Sequence, residues 1–442
     1  MTPRELANSI CETLHRHGHQ ALLAGGCVRD VLLKREPADY DVATDATPDR
    51  VLDLFPDGIG VGAQFGVILV PRDGMKVEVA TFRSDVGYSD GRHPDRVEYS
   101  QTPEEDVKRR DFTINGLLMR HDTGEILDYV NGREDLEAGV IRAIGEPDRR
   151  FAEDKLRMLR AVRFAARFGF EIEAAAFLAI RRHAKEVTLV SAERIRDELT
   201  KLLTEGAARK GFELLDQTWL LSIVLPEIAA MKGVQQPPQY HPEGDVWIHT
   251  LLMLEGLPAG AAPTLAWGVL LHDVGKPPTF RPVSETGDRI RFDGHVAVGE
   301  RMGEEILKRL RFSNDETQQV VALIANHMKF KDVEGMRTAT LKRFVRLPQF
   351  DEHMALHRLD CLSSHRHLEA YEFVQRFLQE TPPEQVRPER LLTGEHLIDM
   401  GYRPGPQFAR ILAALEDAQL EGQVRTRAEA EKFVKVRFGE RG

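Results

Sequence analysis

The sequence predicts an α+β fold, in which an N-terminal head with a mixed β-sheet is followed by all-α segments. Strand-like and helix-like patterns mix up to about residue 142, and helical periodicity takes over from about Pro147. A chain of 442 residues is too long for one ordinary core. The sequence therefore separates a sheet-containing head from a long helical remainder.

The composition is that of a globular protein with a negative net charge. Apolar residues make up 42% of the chain, and the net charge is -10, which argues against a protein that coats nucleic acid through bulk charge. Cys11, Cys27 and Cys361 have no paired spacing, so we expect no disulfide framework and a cytoplasmic location. We expect neither a signal peptide nor a membrane span, because the longest apolar runs are too short.

Short apolar runs predict the elements of the head. Leu6, Ile10 and Leu14 recur at four-residue spacing and predict an amphipathic first helix. Ala21–Ala24 is a predicted strand that enters a tight turn at Gly25-Gly26. The other predicted elements of the head are a helix over Cys27–Leu33 and strands over Tyr40–Thr44, Phe65–Val70 and Lys76–Phe82, the last two joined by a turn at Asp73-Gly74.

Beyond these strands the chain becomes polar and then helical. The segment from Ser84 to Asp106 is rich in glycine and proline breaks and is expected to be a long mobile loop. The helices predicted after it are Phe151–Phe168, Ala192–Leu203 and Lys210–Leu215. Proline clusters near residues 234–242 and 381–383 mark boundaries. We therefore predict four segments, at residues 1–142, 143–233, 234–380 and 381–442.

Two aspartates in the head are candidate metal ligands. Asp39 and Asp41 lie two residues apart in a predicted strand, so both side chains point to one face. Paired carboxylates can hold Mg²⁺, which clamps the attacking and leaving oxygens of a phosphoryl transfer. The alternative is a solvated pair on an edge strand. Glu78, on a later predicted strand, is a candidate third carboxylate or equally a solvent-facing residue.

The double glycine upstream favours a phosphate-binding site. Glycines at a strand-to-helix turn let the backbone approach phosphate oxygens, and a helix N-terminus faces the anion. Arg29 lies in the first turn of the predicted helix and can reach the same anion. The pattern Gly25-Gly26, Arg29, Asp39 and Asp41 is therefore more specific than its parts.

A second pattern is suited to the choice of a base. Asp154 and Arg157 are three residues apart on a predicted helix and would share one face, where a carboxylate beside a guanidinium mimics a Watson–Crick edge for cytosine or adenine. Arg160, Arg163 and Arg167 continue that face as a basic stripe, which suits a triphosphate or an RNA backbone. The alternative is a solvated face with internal ion pairs.

In their order and spacing these motifs resemble the class II tRNA nucleotidyltransferases, the CCA-adding enzymes and their bacterial poly(A) polymerase relatives. The first motif runs from Leu22 through Gly25-Gly26 to Leu33 and resumes at Asp39–Thr44. The later motifs are Arg109–Gly116, Asp128–Leu136, Glu153–Arg157 and Glu193–Leu199. The resemblance covers roughly the first half of the chain.

The resemblance implies template-independent addition of CCA to tRNA from CTP and ATP, with release of pyrophosphate and no membrane partner. It implies that Asp39 and Asp41 hold catalytic Mg²⁺, that Asp154 and Arg157 select the base, and that Glu193–Leu199 supports the selecting segment. The residues expected to contact the nucleotide are Gly25, Gly26, Arg29, Arg110, Asp111, Asn115, Asp154, Arg157, Arg160 and Arg163.

The polar segment Arg83–Asp106 bears on which member of the family this is. It matches the flexible loop that family members need in order to switch from C to A addition, so its presence favours complete CCA addition. An A-adding enzyme or a poly(A) polymerase is the alternative.

The helical remainder carries a second cluster of potential ligands. Its members are His249, His272, Asp273, His295, His327 and Asp360. Imidazoles with carboxylates suit a divalent metal. The cluster resembles the HD superfamily of metal-dependent phosphohydrolases over about Gln236–Phe377, which implies an unidentified divalent metal and phosphodiesterase or phosphatase activity on RNA ends. A degenerate helical scaffold is the alternative.

We therefore predict a nucleotidyltransferase head, a helical neck that selects the nucleotide and binds RNA, an HD domain and a small helical tail. Two rival interpretations stay open. In one, phosphohydrolysis by the HD domain is the main activity. In the other, the chain is a non-catalytic RNA-binding scaffold, although the complete Asp39–Asp41 and Asp154–Arg157 pairs argue against it.

Overall fold

The predicted α+β class is confirmed by the fold. The structure is a computed structural model, and it describes residues 1–62, 66–86 and 96–439. A mixed seven-stranded sheet lies near the N-terminus, and the chain beyond it is mainly helical. By internal contacts the chain forms two compact units, residues 1–230 with 257–260 and 309–311, and residues 231–256, 261–308 and 312–442. The predicted division into four segments stays a prediction.

The sheet of the first unit has the strand order β3-β4-β5-β2-β1-β8-β9. Its strands are β1 (Ala21–Ala24), β2 (Asp41–Thr44), β3 (Ile59–Gly62), β4 (Val67–Arg72), β5 (Met75–Thr81), β8 (Leu118–Met119) and β9 (Ile126–Leu127). β1 and β2 are antiparallel, whereas β2 and β5 are parallel, so the sheet is mixed. The central strands β1 and β2 are almost completely buried. The predicted turn at Asp73-Gly74 joins β4 to β5, and both residues have positive φ.

The described residues of the head contain five α-helices, α1 (Pro3–Arg16), α2 (Gly26–Leu32), α3 (Pro48–Leu54), α4 (Pro103–Lys108) and α5 (Gly132–Ala138). The amphipathic first helix is confirmed, because Leu6, Ile10 and Leu14 are buried. Thr2 and Glu5 begin it with a reciprocal capping box. A core cluster behind the sheet joins Leu22, Ala43, Phe82, Val107, Leu118 and Ile144.

The prediction of one long loop from Ser84 to Asp106 is wrong. β6 (Arg83–Val86) and β7 (Arg96–Tyr99) pair as antiparallel strands, and α4 follows them. The two strands pair through their backbone N–H and C=O groups. The side-chain pattern of this polar segment does not reveal that pairing. The sequence does carry the start signal of α4, since Thr102 precedes Pro103 at the first helical position. Residues 87–95, which contain the centre of the predicted switching loop, lie outside the described residues.

The predicted single helix Phe151–Phe168 is two helices, α6 (Pro147–Glu153) and α7 (Leu156–Phe168). Asp154 lies between them in an extended conformation, with φ -140° and ψ 106°. Its carboxylate accepts a hydrogen bond from the Leu156 backbone N–H at 3.1 Å, and its carbonyl accepts one from the Arg157 backbone N–H at 3.1 Å. Periodicity missed this break because an aspartate can satisfy backbone groups at a helix start.

The rest of the first unit is helical, with one short parallel pair of strands. The strands are β10 (Val140–Ile141) and β11 (Glu171–Ile172). The helices are α8 (Ala174–His183), α9 (Ala192–Thr204), α10 (Ala208–Gln217), α11 (Leu221–Val224) and α12 (Pro226–Ala229).

The described part of the second unit contains thirteen α-helices. They are α13 (Val246–Glu255), α14 (Pro263–Leu271), α15 (Lys276–Thr279), α16 (Val283–Thr286), α17 (His295–Arg309), α18 (Asn314–Asn326), α19 (Thr338–Phe344), α20 (Phe350–Ser363), α21 (Glu369–Glu380), α22 (Pro383–Val386), α23 (Gly394–Asp399), α24 (Pro406–Leu420) and α25 (Arg427–Phe438). Helices α23 to α25 have a small core of their own, centred on Leu397, Ile411 and Val434. Within the described residues, no helix is both long enough and apolar enough to cross a membrane.

Gly132 tests the packing of the head. A Cβ atom at this position would lie 2.2 Å from the Thr113 backbone oxygen, which cannot move as a flexible side chain could. We expect Gly132→Ala to lower the free energy of unfolding by about 1–3 kcal/mol, the usual cost of overpacking. Calorimetric unfolding measures this. Gly335→Ala is the control, because no heavy atom lies within 4 Å of its Cβ position. Equal stabilities of the two variants would contradict the close contact.

Candidate active site and metal centre

The pairing of neighbouring strands brings the double-glycine turn, Asp41 and Glu78 together at one edge of the sheet, where β1 ends and β2 begins. Ala24 at the end of β1 pairs with Asp41 at the start of β2, and Asp41 pairs in turn with Glu78 on β5. Gly25 follows Ala24 directly and begins the turn into α2. The turn, Asp41 and Glu78 therefore lie side by side, although Glu78 is 37 residues away from Asp41 in the sequence.

Three carboxylates influence one another at this edge. Asp41 is half-buried, and its pKa is raised from 3.8 to about 6 by burial and by the negative charges of Glu78 and Asp39, against the opposing effect of Arg110. Asp39 is exposed and lies before β2 begins, so the predicted placement of both aspartates within one strand is wrong for Asp39. Uncompensated carboxylate charge of this kind fits a divalent cation with hard oxygen ligands.

Gly25 leaves room for a guanidinium. Its backbone has φ 70°, a conformation that favours glycine, and a Cβ atom here would lie 2.7 Å from Nη1 of Arg110. Nη1 of Arg110 also donates to the Asn115 backbone oxygen at 3.4 Å. The turn therefore lets a cationic side chain approach the backbone at the carboxylate edge.

Asp106, which the sequence patterns did not single out, accepts hydrogen bonds from two arginines. One carboxylate oxygen accepts Nη2 of Arg109 at 2.6 Å, and the other accepts Nη2 of Arg110 at 3.0 Å. The Asp106 side chain is completely buried. Two guanidiniums share this single carboxylate, so positive charge remains beside Gly25, where an anion would bind. The available signal was the spacing of three and four residues between Asp106 and the two arginines, which directly follow the end of α4.

The predicted nucleotide contacts Arg29, Asn115, Asp111 and Arg160 form one chain of hydrogen bonds. Arg29 donates to the Asn115 side-chain oxygen at 2.5 Å, and the Asn115 amide donates to Asp111 at 3.0 Å. Asp111 also accepts from Nε of Arg160 at 2.9 Å. Burial would raise the pKa of Asp111, but the charge of Arg160 and the hydrogen bond from Asn115 outweigh burial and lower this pKa to about 2.

The basic stripe on α7 is not an open basic surface. Arg160 lies 3.8 Å from Glu198, Arg163 donates to Glu198 at 2.6 Å, and Arg163 and Arg167 both donate to Glu205. These arginines therefore form the internal ion pairs of the alternative, and the binding of a triphosphate or an RNA backbone by the stripe stays a prediction. Helix periodicity missed the pairing because the acidic partners lie on α9 and at its end.

Asp154 and Arg157 are held by different partners and do not share one helix face. Asp154 accepts from Nη2 of Arg194 on α9 at 2.8 Å. Arg157 donates to Glu153 at 3.1 Å and, through Nη2, to the Arg109 backbone oxygen at 3.1 Å. The contact from Arg194 places α9 against the segment to which the resemblance assigns base selection. Arg109, whose carbonyl holds Arg157, also binds Asp106.

All six predicted ligands of the second cluster come together in the second unit. Within the described residues, three groups of three side chains place their ligand atoms within 4.8 Å of one another, and the six predicted ligands make up two of these groups. The first group is His249, His272 and Asp360, and the second is Asp273, His295 and His327. Individual contacts include His249 Nε2 to Asp360 at 3.2 Å and His272 Nε2 to Asp273 at 3.1 Å. Two adjacent groups fit the two-metal version of the predicted site.

The donor atoms of this cluster also fit a metal. Nε2 of His295 and His327 is buried without a hydrogen-bond partner, and so is one oxygen of Asp273, whereas Nε2 of His249 and His272 faces carboxylate oxygens of Asp360 and Asp273. Such orphaned atoms cost free energy unless something binds them. Burial lowers the pKa of His327 to about 4, so its imidazole is neutral, the form that binds metal. The cluster opens into a cavity of about 740 Å³ that is also lined by Lys276, Arg289 and Lys331.

Asp41→Asn should stabilise the metal-free protein at alkaline pH. Because the folded-state pKa is raised to about 6, the folded protein holds the proton more tightly than the unfolded chain does. The ionised carboxylate therefore costs stability, and this cost grows as the pH rises from 3.8 through 6. With a chelator present, we expect a gain of about 1–3 kcal/mol near pH ~8 and almost none near pH ~4. Urea unfolding at both pH values measures it, and an equal gain at both would contradict the assigned pKa.

Comparison with known families agrees with this arrangement of sites. Residues 21–142 match the poly A polymerase head domain. Residues 169–232 match the family described as "Probable RNA and SrmB-binding site of polymerase A", and residues 246–364 match the HD domain. The matched segments include the head carboxylates, α9 and the histidine cluster.

The similar proteins described next share one name. A CCA-adding enzyme of Bacillus cytotoxicus is 30% identical over 426 residues, which is 96% of each chain. A CCA-adding enzyme of Geobacillus thermodenitrificans is 43% identical over 227 residues, 51% of this chain and 56% of that protein. The crystal structure of the Bacillus stearothermophilus CCA-adding enzyme in complex with CTP matches with a TM-score of 0.77 and 26% identity, covering 99% of this chain and 98% of that one. The chain belongs to the family of CCA-adding enzymes, which are nucleotidyltransferases.

Proposed function

We propose that this chain adds cytidine, cytidine and adenosine to the 3′ end of tRNA, using CTP and ATP and releasing pyrophosphate. The observation that carries the proposal is the sheet edge where Asp41 lies between the Gly25 turn and Glu78. Solved CCA-adding enzymes include complexes with CTP, with ATP and with tRNA. The buried, unpaired cysteines fit a reducing cytoplasm as the site of the reaction.

Asp39 and Asp41, with Glu78 beside them, would hold Mg²⁺ in the head. When bound, the metal supplies positive charge to the oxygens of the transferred phosphate. Gly25 and Gly26 let the backbone lie close to the triphosphate, and Arg110 is placed by Asp106 to offset its charge. No protein nucleophile takes part, because the RNA 3′-hydroxyl attacks the α-phosphate directly.

The neck would choose the nucleotide and grip it. Asp154 and Arg157 would present the acceptors and donors that match cytosine and adenine, and each is held by a protein partner, Asp154 by Arg194 and Arg157 by the Arg109 carbonyl. Fixed partners lower the entropy lost when a base binds. The remaining predicted nucleotide contacts are Arg29, Asp111, Asn115, Arg160 and Arg163. In this proposal the neck is residues 143–233, after a catalytic head of residues 1–142.

The test is incubation of the protein with tRNA that lacks its terminal CCA, with CTP alone, with ATP alone and with both. We expect three added nucleotides only when both are present. Growth by ATP alone on tRNA that already ends in CC, with CTP unused, would instead identify an A-adding enzyme or a poly(A) polymerase. Asp41→Ala should abolish addition while tRNA binding persists, because the variant loses a carboxylate of the metal site and no RNA contact.

Arg157→Ala should relax the choice among the four nucleotides. Loss of one bidentate contact to a base edge removes about 1–3 kcal/mol of discrimination, or roughly tenfold or more. The measurement is kcat/KM for CTP, ATP, UTP and GTP on the same tRNA. Arg149→Ala is the matched control, because Arg149 also pairs with Glu153 but its side chain is 82% exposed. Selectivity that is unchanged in Arg157→Ala would remove this residue from base selection.

The histidine cluster supports a second activity, hydrolysis of phosphoesters at RNA ends by an HD domain over residues 234–380. The supporting observation is the two groups of three imidazole and carboxylate side chains whose ligand atoms lie within 4.8 Å of one another. His249, His272, Asp273, His295, His327 and Asp360 would hold one or two divalent metals, which when bound supply an activated water. The cavity cations Lys276, Arg289 and Lys331 suit a phosphate group.

The two activities should separate by mutation. Asp273→Ala should abolish phosphate release from tRNA that ends in a 3′-phosphate, measured with Mg²⁺, Mn²⁺ or Ni²⁺, because Asp273 belongs to the three-ligand group with His295 and His327. Asp41→Ala should leave that release intact. If the wild-type protein releases no phosphate with any of these metals, the helical-scaffold alternative replaces the hydrolase.

A further inference from the structure

The four histidines of the HD site are oriented alike. Each uses Nδ1 for a hydrogen bond, which leaves Nε2 for the cluster, where Nε2 of His249 lies 3.2 Å from Asp360 and Nε2 of His272 lies 3.1 Å from Asp273. For three of them the Nδ1 partner is the backbone carbonyl three residues earlier. The pairs are His272 with Val269 at 2.8 Å, His295 with Phe292 at 2.9 Å and His327 with Ile324 at 2.7 Å.

His249 cannot use this arrangement. The other three histidines lie at helix ends, whereas His249 lies inside α13, where the preceding carbonyls are already used. The Asp245 carbonyl accepts the backbone N–H of His249 at 3.0 Å, and the Val246 carbonyl accepts the Thr250 hydroxyl at 2.8 Å. The tautomer of this ring therefore depends on a partner outside the helix.

Glu243 is that partner. Its Oε1 lies 2.7 Å from Nδ1 of His249, and because a carboxylate accepts, Nδ1 donates to it; in the neutral ring Nε2 then keeps the lone pair that a metal needs. The same oxygen accepts from Nδ1 of His241 at 2.8 Å. The Glu243 side chain is only 7% exposed, and the His249 side chain is fully buried. Asp245, at the N-cap of α13, anchors the same segment through the Ile248 and Gly233 backbone N–H groups.

We propose that Glu243 is a positioning residue of the HD metal site, which orients His249 so that Nε2 faces a divalent cation. The inference rests on the proposed metal-binding function of that site. A carboxylate behind a metal-bound imidazole fixes the tautomer and raises the basicity of the ligand. Neither the predicted ligand set nor the family resemblance includes Glu243 or His241.

Mn²⁺ binding to the full-length, metal-stripped chain tests the proposal by isothermal titration calorimetry. All proteins carry Asp41→Asn, so that the head contributes little to the signal. Relative to this background, Glu243→Ala should weaken Mn²⁺ binding by about 10- to 100-fold, the usual effect of losing such a partner. Glu243→Gln should lose less, because its amide oxygen keeps one acceptor for Nδ1.

Glu352→Ala is the matched control. Glu352 lies on α20 of the same unit and also receives two side-chain hydrogen bonds, from Thr264 at 2.7 Å and Gln319 at 3.2 Å, but it does not line the metal cavity. Thermal unfolding of each metal-free variant reports the structural cost. Glu352→Ala should lose stability and keep its Mn²⁺ affinity. An equal loss of affinity in both alanine variants would reduce Glu243 to a structural residue.

Other outcomes separate the inference from the function on which it rests. If the background protein binds no Mn²⁺, the proposed metal function is overturned, and the inference falls with it. If the background binds Mn²⁺ and Glu243→Ala binds it equally well, only the positioning role is overturned. In crystals soaked with Mn²⁺, anomalous density at Nε2 of His249 supports the role, whereas density between Nδ1 and the Glu243 carboxylate would make Glu243 a ligand and overturn it.

Discussion

A closed ring of charged side chains, most of them buried, connects the carboxylate edge of the sheet to helices α7 and α9. Arg29 joins Asn115 and Asp111, Asp111 joins Arg160, and Glu198 and Glu205 then link Arg163 and Arg167. The ring closes where Arg167 lies 3.9 Å from Asp30, which itself binds Arg29. Four arginines face four carboxylates, so the ring is neutral. Because removing one member would leave a buried charge unpaired, α2, α7 and α9 hold one another in place.

This ring explains how motifs far apart in the sequence act together. α2 carries the turn that would meet the triphosphate, α7 begins with Arg157, and α9 carries Arg194, which holds Asp154. The ring supplies rigidity, because its charges are satisfied among themselves. The unmatched positive charge lies elsewhere, at Asp106, where one carboxylate serves both Arg109 and Arg110 beside Gly25. The neutral ring therefore holds the helices together, whereas the arginine pair at Asp106 attracts an anion.

Both candidate sites retain groups that the protein itself leaves unsatisfied. Asp41 is held with a raised pKa among other carboxylates, and the HD cluster buries imidazole nitrogens without hydrogen-bond partners. Such features lower stability and persist where the surrounding structure enforces them. In the HD cluster the orientation of each imidazole ring is fixed by a hydrogen bond from Nδ1 to a backbone carbonyl or to Glu243.

The sequence by itself determined the fold class, the first helix, the strand before Gly25-Gly26, the hairpin turn at Asp73-Gly74 and the order of the histidine ligands. Each of these depends on local periodicity or on residue types whose conformational preferences act within a few positions. Local pattern also has limits. The local pattern predicted one helix over Phe151–Phe168, whereas the structure has two helices with Asp154 between them, because an aspartate can cap a helix as well as continue one.

Only the tertiary structure decided which charges meet. In the folded chain the arginines of α7 pair with Glu198 and Glu205, and Asp106 binds Arg110. Strands β6 and β7 pair with each other, and Glu243 contacts His249. Some of these partners are close in the sequence, yet nothing in a periodic pattern says which donor an acceptor will receive. That choice follows from burial, because a charged or polar group removed from water must find whichever partner the folded chain brings within reach.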